Sequence, residues 1–337
     1  MSNESPELGW QTLSGPAREI GLALGRAGRA AVLRHLPGHP LWQELVSDRH
    51  AARVARMAQA TRARFPAIWA EIEGLAEGLG LPVEQVFAWN CRGDLLASVP
   101  DGCTTVLVPG DTPTLAHNED GLPFFRGACF IAEVAPQGQP GFRSFCYPGS
   151  IPGHTFAFTD AGLVQTVNNI RLTGVEADIP RMVLGRAVLA AGTLAEALAI
   201  LQDAPSGGFH FGLMQRGDGR VLSVEYGGGE CSVREITVPA LHANHALHLP
   251  RGLAGQIVTE SSRDRQAWGD RLLAEGRAPL EILRDRSGPG LPIRRDDADD
   301  PDEENTLGTA VFTLSGAGLD WSIHDCAAGP PRYSGTA

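Results

Sequence analysis

Apolar positions change rhythm about a third of the way along this chain. Up to residue 100 they recur at three and four, as helices require. Ile20, Leu24, Ala27 and Ala31 form one stripe, opening after a polar tail whose Ser14-Gly15-Pro16 supplies a cap and a first-turn proline. Residues 41–64 carry a second helical pattern with arginines on its outer face. Ile68, Ile72, Leu75 and Leu79 mark a third, closed by Gly78 and Gly80, and a short helix is predicted over Pro82–Asn90.

Beyond Cys103 the pattern becomes one of short strands separated by glycine, proline and aspartate. They are predicted at Thr104–Val108, Thr114–Ala116, Ala128–Val134, Phe142–Tyr147 and Leu163–Asn168. Two helices interrupt, one at Pro180 and one at Thr193, where Thr193-x-x-Glu196 reads as a capping box. A hairpin follows, Phe211–Arg216 with Val221–Tyr226 around Gly217-Asp218-Gly219. Residues 260–286 read as helical, and Gly288–Asn305 has the acidic, proline-containing composition of a mobile loop. Thr309–Leu314 and Leu319–His324 are the last predicted strands, and there is no internal repeat. Runs of strands with helices before and between them predict an α+β chain of antiparallel sheets covered by helices.

At 337 residues and 43% hydrophobic, the chain can bury a substantial core. Its net charge of −11 is concentrated in Asp296–Glu304, and every basic residue is arginine. Without a clustered basic face, a nucleic-acid partner is not expected. The first eight residues have neither a positive region nor an apolar run, and no segment approaches the roughly 20 apolar residues of a membrane span. Six scattered cysteines without a CxxC pair fit free thiols. A cytoplasmic chain with no membrane partner is the expectation.

The change of rhythm falls at Asp101-Gly102-Cys103-Thr104-Thr105. A small residue before a cysteine is what a self-cleaving site requires. Cutting Gly102–Cys103 would give Cys103 a free α-amine of pKa about 7.7 to 8.0, placing nucleophile and base in one residue. Taken alone, the pentapeptide favours an inert buried cysteine at the start of a strand.

The surrounding motifs bear on that choice. Glu71-Ile-Glu-Gly-Leu-Ala-Glu-Gly-Leu-Gly80 and Asn90-Cys-Arg-Gly-Asp94 precede the pentapeptide. His117-Asn118-Glu119-Asp120, Gly162–Asn168, His242-Ala-Asn-His245 and Thr306–Leu314 follow it. In this order the set resembles the acyl-coenzyme A:6-aminopenicillanic acid acyltransferases and their bacterial relatives, over roughly residues 15–325. The resemblance implies the four-layer αββα sandwich of two antiparallel sheets found in N-terminal nucleophile hydrolases. It also implies self-cleavage into a helix-rich fragment, 1–102, and a strand-rich fragment, 103–337, which stay associated as one domain.

Under the same resemblance Cys103 is the nucleophile, Asn244 an oxyanion donor, and Asp120 a group that orients the amine or holds a polar part of the substrate. Thr306 and Leu307 stand where the penicillin enzyme has serine and arginine, so a penicillin-type substrate is not implied. Expected activity is hydrolysis of a small N-acyl or aminoacyl amide through an acyl-enzyme. Transfer from a coenzyme A thioester, or a binding protein that is never cut, are the alternatives. Thr105, His117, Asn118, His154, His245 and Arg263 are candidate pocket residues. His242, His245 and His248 are spaced three apart, but with no acidic or cysteine partner nearby in sequence neither a metal nor a cofactor is expected. Association into a homo-oligomer is left open.

Overall fold

The computed structural model describes residues 7–100, 102–202, 205–316 and 318–337. Residues 1–6 of the N-terminal tail, Asp101 and Ala317 therefore lie outside the described residues. Strands are β1 (Gly9–Gly15), β2 (Gly102–Val108), β3 (Thr114–Gly121), β4 (Phe130–Pro136), β5 (Phe142–Cys146), β6 (Ala157–Thr159) and β7 (Leu163–Ile170). They continue as β8 (Gly208–Gln215), β9 (Val221–Gly227), β10 (Glu230–Glu235), β11 (Ala240–His242), β12 (Asn305–Ser315), β13 (Gly318–His324) and β14 (Tyr333–Thr336).

Two sheets result, in the orders β1-β4-β5-β6-β7-β8-β9-β10 and β11-β2-β3-β12-β13-β14. They pack face to face through β2 and β3 against β7, β8 and β9. The helices Ala17–His35, Pro66–Leu79, Arg181–Val188 and Leu194–Leu201 share one core with the first sheet. The helices Glu260–Ala274 and Pro279–Leu283 cover the outer face of the second through Val106, Ala116, Leu241, Leu272, Ile282 and Leu283. The layers are thus helix, sheet, sheet, helix.

Not every pairing is antiparallel, because β1 runs parallel to β4. The supposed polar tail forms this strand, so the part before Cys103 is not purely helical. Trp10 explains the docking: its ring stacks on Trp321 and meets Tyr333 edge-on. Pro16 accordingly caps the first helix from outside it.

The first helix lies unusually close to Pro66–Leu79, because a Cβ on Gly21 would fall 1.9 Å from the Glu71 carbonyl oxygen and one on Gly74 2.0 Å from that of Arg18. Gly78 belongs to this contact and not to the helix end, which Gly80 makes at φ 71°. The pattern over 41–64 divides at Ser47 into Pro40–Leu45 and Asp48–Arg64, and that over 260–286 divides into two helices as well. At Thr193 half of the capping box forms: its hydroxyl accepts from Glu196 N–H, while Glu196 accepts from Gly192.

The acidic segment 288–305 differs most from expectation. Ile293, Arg294 and Arg295 are fully buried, and the Arg295 guanidinium gathers Asp300, Asp302 and Glu304 around it. Buried arginine ties part of an apparent charged loop into the interior, while Asp297, Asp299 and Glu303 stay exposed.

Candidate active site

In the antiparallel pair β2–β3, Cys103 stands opposite Glu119 and Thr105 opposite His117. Side chains alternate along a strand, so these four face the gap between the sheets. Gly102, Thr104, Asn118 and Asp120 face the helices instead. The site accordingly has two sides, with the Gly102–Cys103 bond between them.

On the inner side the Cys103 thiol lies 3.5 Å from Glu119 Oε2. That oxygen is 3.1 Å from His117 Nε2, while Glu119 Oε1 accepts from the Tyr147 hydroxyl at 2.9 Å. His117 Nδ1 is 2.9 Å from Thr105 Oγ1, whose own proton goes to Asn168 Oδ1 at 2.6 Å. All of these groups are buried. Burial pushes His117 down to about 3, so its ring is neutral at ordinary pH.

On the other side Asn244 Oδ1 accepts from the Cys103 backbone N–H at 2.9 Å and from Arg265 at 2.6 Å. Asn244 Nδ2 donates to the Asn169 carbonyl at 3.2 Å. Two donors on one end and a carbonyl on the other fix which end is oxygen. In the uncut chain Asn244 therefore orients the Cys103 nitrogen, and its amide hydrogens are engaged elsewhere. Arg265 also donates to the Cys103 carbonyl and to Thr104 Oγ1 at 2.9 Å.

This corrects the expectation for Arg263, which is exposed; Arg265, two residues on, is the arginine that reaches the site. Helical spacing from Ser261 carried that signal, since Arg265 Nε bonds Ser261 Oγ one turn away.

Gly102 has a steric reason to be glycine. A Cβ there would lie 2.3 Å from Glu304 Oε2 and 3.3 Å from the Asp120 Cβ. Glu304 is held by Arg171 at 3.3 Å and Arg295 at 2.9 Å. Burial nevertheless raises it to about 7, with Arg171, Arg295 and Arg265 opposing and Asp120 adding to the rise. Asp120 is raised too, again chiefly by burial. Its Oδ1 accepts from Thr306 at 2.6 Å, whereas Oδ2 has no hydrogen-bond partner among the described residues. Thr306 sits at the irregularity in β12 that spans Thr306 and Gly308.

The remaining candidates disperse. Asn118 faces the helices, donating to the Leu283 carbonyl at 2.7 Å and accepting from Thr309, so it anchors a helix and does not line the inner site. His245 is half-buried against Ser262, the same hydroxyl that holds the Asn244 backbone, and burial lowers it to about 4. His154 packs on Tyr147 at 5.5 Å between ring centroids. His242 and His248 turn to Glu225, away from His245. Among the described residues, Cys103, His117 and Glu119 are the three donors close enough to share an ion, with ligand atoms within 4.8 Å of one another. No helix among the described residues is long and apolar enough to cross a membrane.

Comparison with known proteins adds an independent observation. The model of the acyl-coenzyme A:6-aminopenicillanic acid acyl-transferase family matches residues 107–326. A beta-alanyl-dopamine/carcinine hydrolase from Drosophila melanogaster is 29% identical over 164 residues, covering 42% of this chain. The alignment spans only 42% of that relative's length. Variant R18L of conjugated bile acid hydrolase from Clostridium perfringens aligns over 70% of this chain and 97% of its own, at 11% identity and a TM-score of 0.40. At that level the likeness bears on neither site nor substrate.

Proposed function

The chain belongs to the acyl-coenzyme A:6-aminopenicillanic acid acyl-transferase family, whose model covers more than half of it, and from this premise we infer that it is a self-cleaving cysteine amidohydrolase. The observation that carries the inference is the convergence on Cys103. Its thiol, its backbone nitrogen and its carbonyl are each held by a different buried side chain, Glu119, Asn244 and Arg265. A cysteine that merely packs needs no such attention.

After cleavage between Gly102 and Cys103, the new α-amine accepts the thiol proton and returns it to the leaving amine. Asn244 Oδ1, already on that nitrogen, keeps its lone pair directed at the thiol. Arg265 is pushed down by burial but stays cationic, and it biases the site towards the developing negative charge. Asp120 Oδ2 is the spare buried acceptor for the α-amine or for a polar substrate group. The Asn244 amide becomes an oxyanion donor only if it releases the Asn169 carbonyl, a change that the cut beside it would permit.

Cleavage would also free space. Trp89, Arg92, Leu122, Phe125 and Tyr147 line a small cavity together with Pro100, two residues before the bond to be cut. Withdrawal of Pro100 would leave an aromatic recess bounded by Tyr147, Phe125 and Trp89 with the Arg92 guanidinium at its wall, suited to an aromatic substrate group. Hydrolysis is favoured over acyl transfer because the curated relative is a hydrolase. Its name makes β-alanyl amines the first compounds to test.

The experiment offers purified protein and Cys103→Ala a panel of β-alanyl amines and N-acyl amines. Released amine and any covalent acyl adduct on Cys103 are read by mass spectrometry. Turnover by the natural sequence alone, with an adduct on the fragment that begins at Cys103, is the expected result. Equal turnover by Cys103→Ala would end the proposal.

A further inference from the structure

The α-amine that serves the mature site does not exist before the chain is cut, because Cys103 N is then an amide. Some other group must take the thiol proton in the first event. Asp120 and Glu304 face the opposite side of β2, against Gly102. On the thiol's own side stands Glu119 Oε2, 3.5 Å from Sγ.

Proton positions around it follow from the hydrogen bonds. Asn168 Nδ2 donates to the His242 carbonyl at 3.1 Å, so Asn168 Oδ1 is an acceptor. Thr105 must therefore give its proton to that oxygen, 2.6 Å away. His117 Nδ1 then carries the ring's hydrogen and donates to Thr105 Oγ1. A neutral ring has only that one, so Nε2 presents a lone pair to Glu119 Oε2 at 3.1 Å, and one proton is shared between them. Thiol, carboxyl and imidazole form a buried line in which the shared proton can lie on Oε2 or on Nε2.

We propose that Glu119, backed by His117, is the catalytic base of the self-cleavage step, a role distinct from that of the α-amine in turnover. It rests on the self-cleavage reading above. Sγ passes its proton to Glu119 Oε2 while the proton already shared there moves onto His117 Nε2. Sγ bonds to the Gly102 carbonyl carbon, the Gly102–Cys103 C–N bond breaks, and the pair returns one proton to the departing Cys103 nitrogen. The product is a thioester of residues 1–102 on Cys103. Water hydrolyses it, its hydroxyl completing the Gly102 carboxylate and its proton restoring the thiol.

The test follows cutting of freshly translated full-length chain by intact mass, for the natural sequence, Glu119→Gln, Glu119→Asp and His117→Gln, with thermal midpoints of each. General-base catalysis is worth about 10² to 10⁴ in rate, and Glu119→Gln is expected to slow cutting at least a hundredfold while folding. Glu119→Asp keeps the carboxyl but withdraws it, and should recover part of the rate. His117→Gln should slow cutting and move the pH at which its rate is half-maximal, which a merely structural loss would leave in place. Among the described residues, the groups facing the pair are Cys103, Thr105, Tyr147, Cys129 and His210, with His154 behind Tyr147.

Natural chain that stays whole would overturn self-cleavage itself, and this role with it. Natural chain that is cut, with Glu119→Gln cut equally fast, would overturn only the assignment to Glu119. Where Glu119→Gln fails to fold, His117→Gln decides: cutting at the natural rate with an unmoved pH midpoint rejects the role of the pair.

Discussion

Glu304 offers a quantitative check on the electrostatics beside the scissile bond. Its carboxyl is raised from the ordinary 4.5 to about 7, primarily by burial. Between those values the native state holds a proton that the unfolded chain has released, so stability falls as pH rises. The favourable contribution is complete below about 4.5 and is lost as pH rises through 7. At about 1.36 kcal/mol for each pH unit, the loss is about 3 kcal/mol. A chain of 337 residues has an unfolding entropy of roughly 0.7 kcal/mol per kelvin, so the midpoint should move about 4 °C.

The comparison is best made in uncut Cys103→Ala, with and without Glu304→Gln, by calorimetry from pH 4.5 to 8. A glutamine side chain cannot titrate, and whatever it costs against Arg171 and Arg295 is a pH-independent offset. Arg265 and Asp120, the other charged neighbours, are present in both chains. The chain that keeps Glu304 should therefore lose about 4 °C more than the one carrying Glu304→Gln across this range. Parallel curves would refute the claim that Glu304 is held protonated against Gly102.

Three further outcomes follow from the same geometry. Arg265→Gln should slow cutting by about 10² or more, since a preorganised charged donor to the reacting residue is lost, whereas Arg263→Ala should leave both the rate and the midpoint of thermal unfolding unchanged; time courses on gels with melting curves separate them. Gly102→Ala should slow cutting at least tenfold, because a Cβ 2.3 Å from Glu304 Oε2 forces the carboxylate or the scissile peptide to shift; an unchanged rate would reject that steric account. Incubation with EDTA should leave cutting and turnover unaltered, and activity lost to the chelator and restored by a divalent ion would reassign Cys103, His117 and Glu119 as a metal site.

The change from helical to strand spacing at Cys103 pointed to antiparallel sheets covered by helices, because it reflects burial on one face at a time, whereas the four-layer order came from the family resemblance. What escaped depended on contacts between distant residues. Strand β1 resembles a polar tail because its partner β4 begins more than a hundred residues later. The segment 288–305 resembles a free acidic loop because composition does not show that Arg295 lies inside it, fully buried, with three carboxylates around it.

The site was legible to the same degree. Cys103, Asp120 and Asn244 stand in recognisable motifs, and the structure brings all three to the Gly102–Cys103 bond. Glu119 sits in one of those motifs between Asn118 and Asp120, but the predicted strand stopped at Ala116, and only the observed β3, which runs on to Gly121, puts it with His117 on the thiol's face. Arg265 needed the helix phase of Glu260–Ala274, which placed Arg263 on the wrong side. The Asn244 role changed because only the hydrogen-bond network reveals which end of an amide meets Cys103.

The central claim is that this chain cuts itself before Cys103. Intact-mass measurement of the purified natural protein, beside Cys103→Ala, tests it most directly. Two fragments, residues 1–102 and 103–337, absent from the variant, are expected. A single full-length chain from the natural sequence would contradict it.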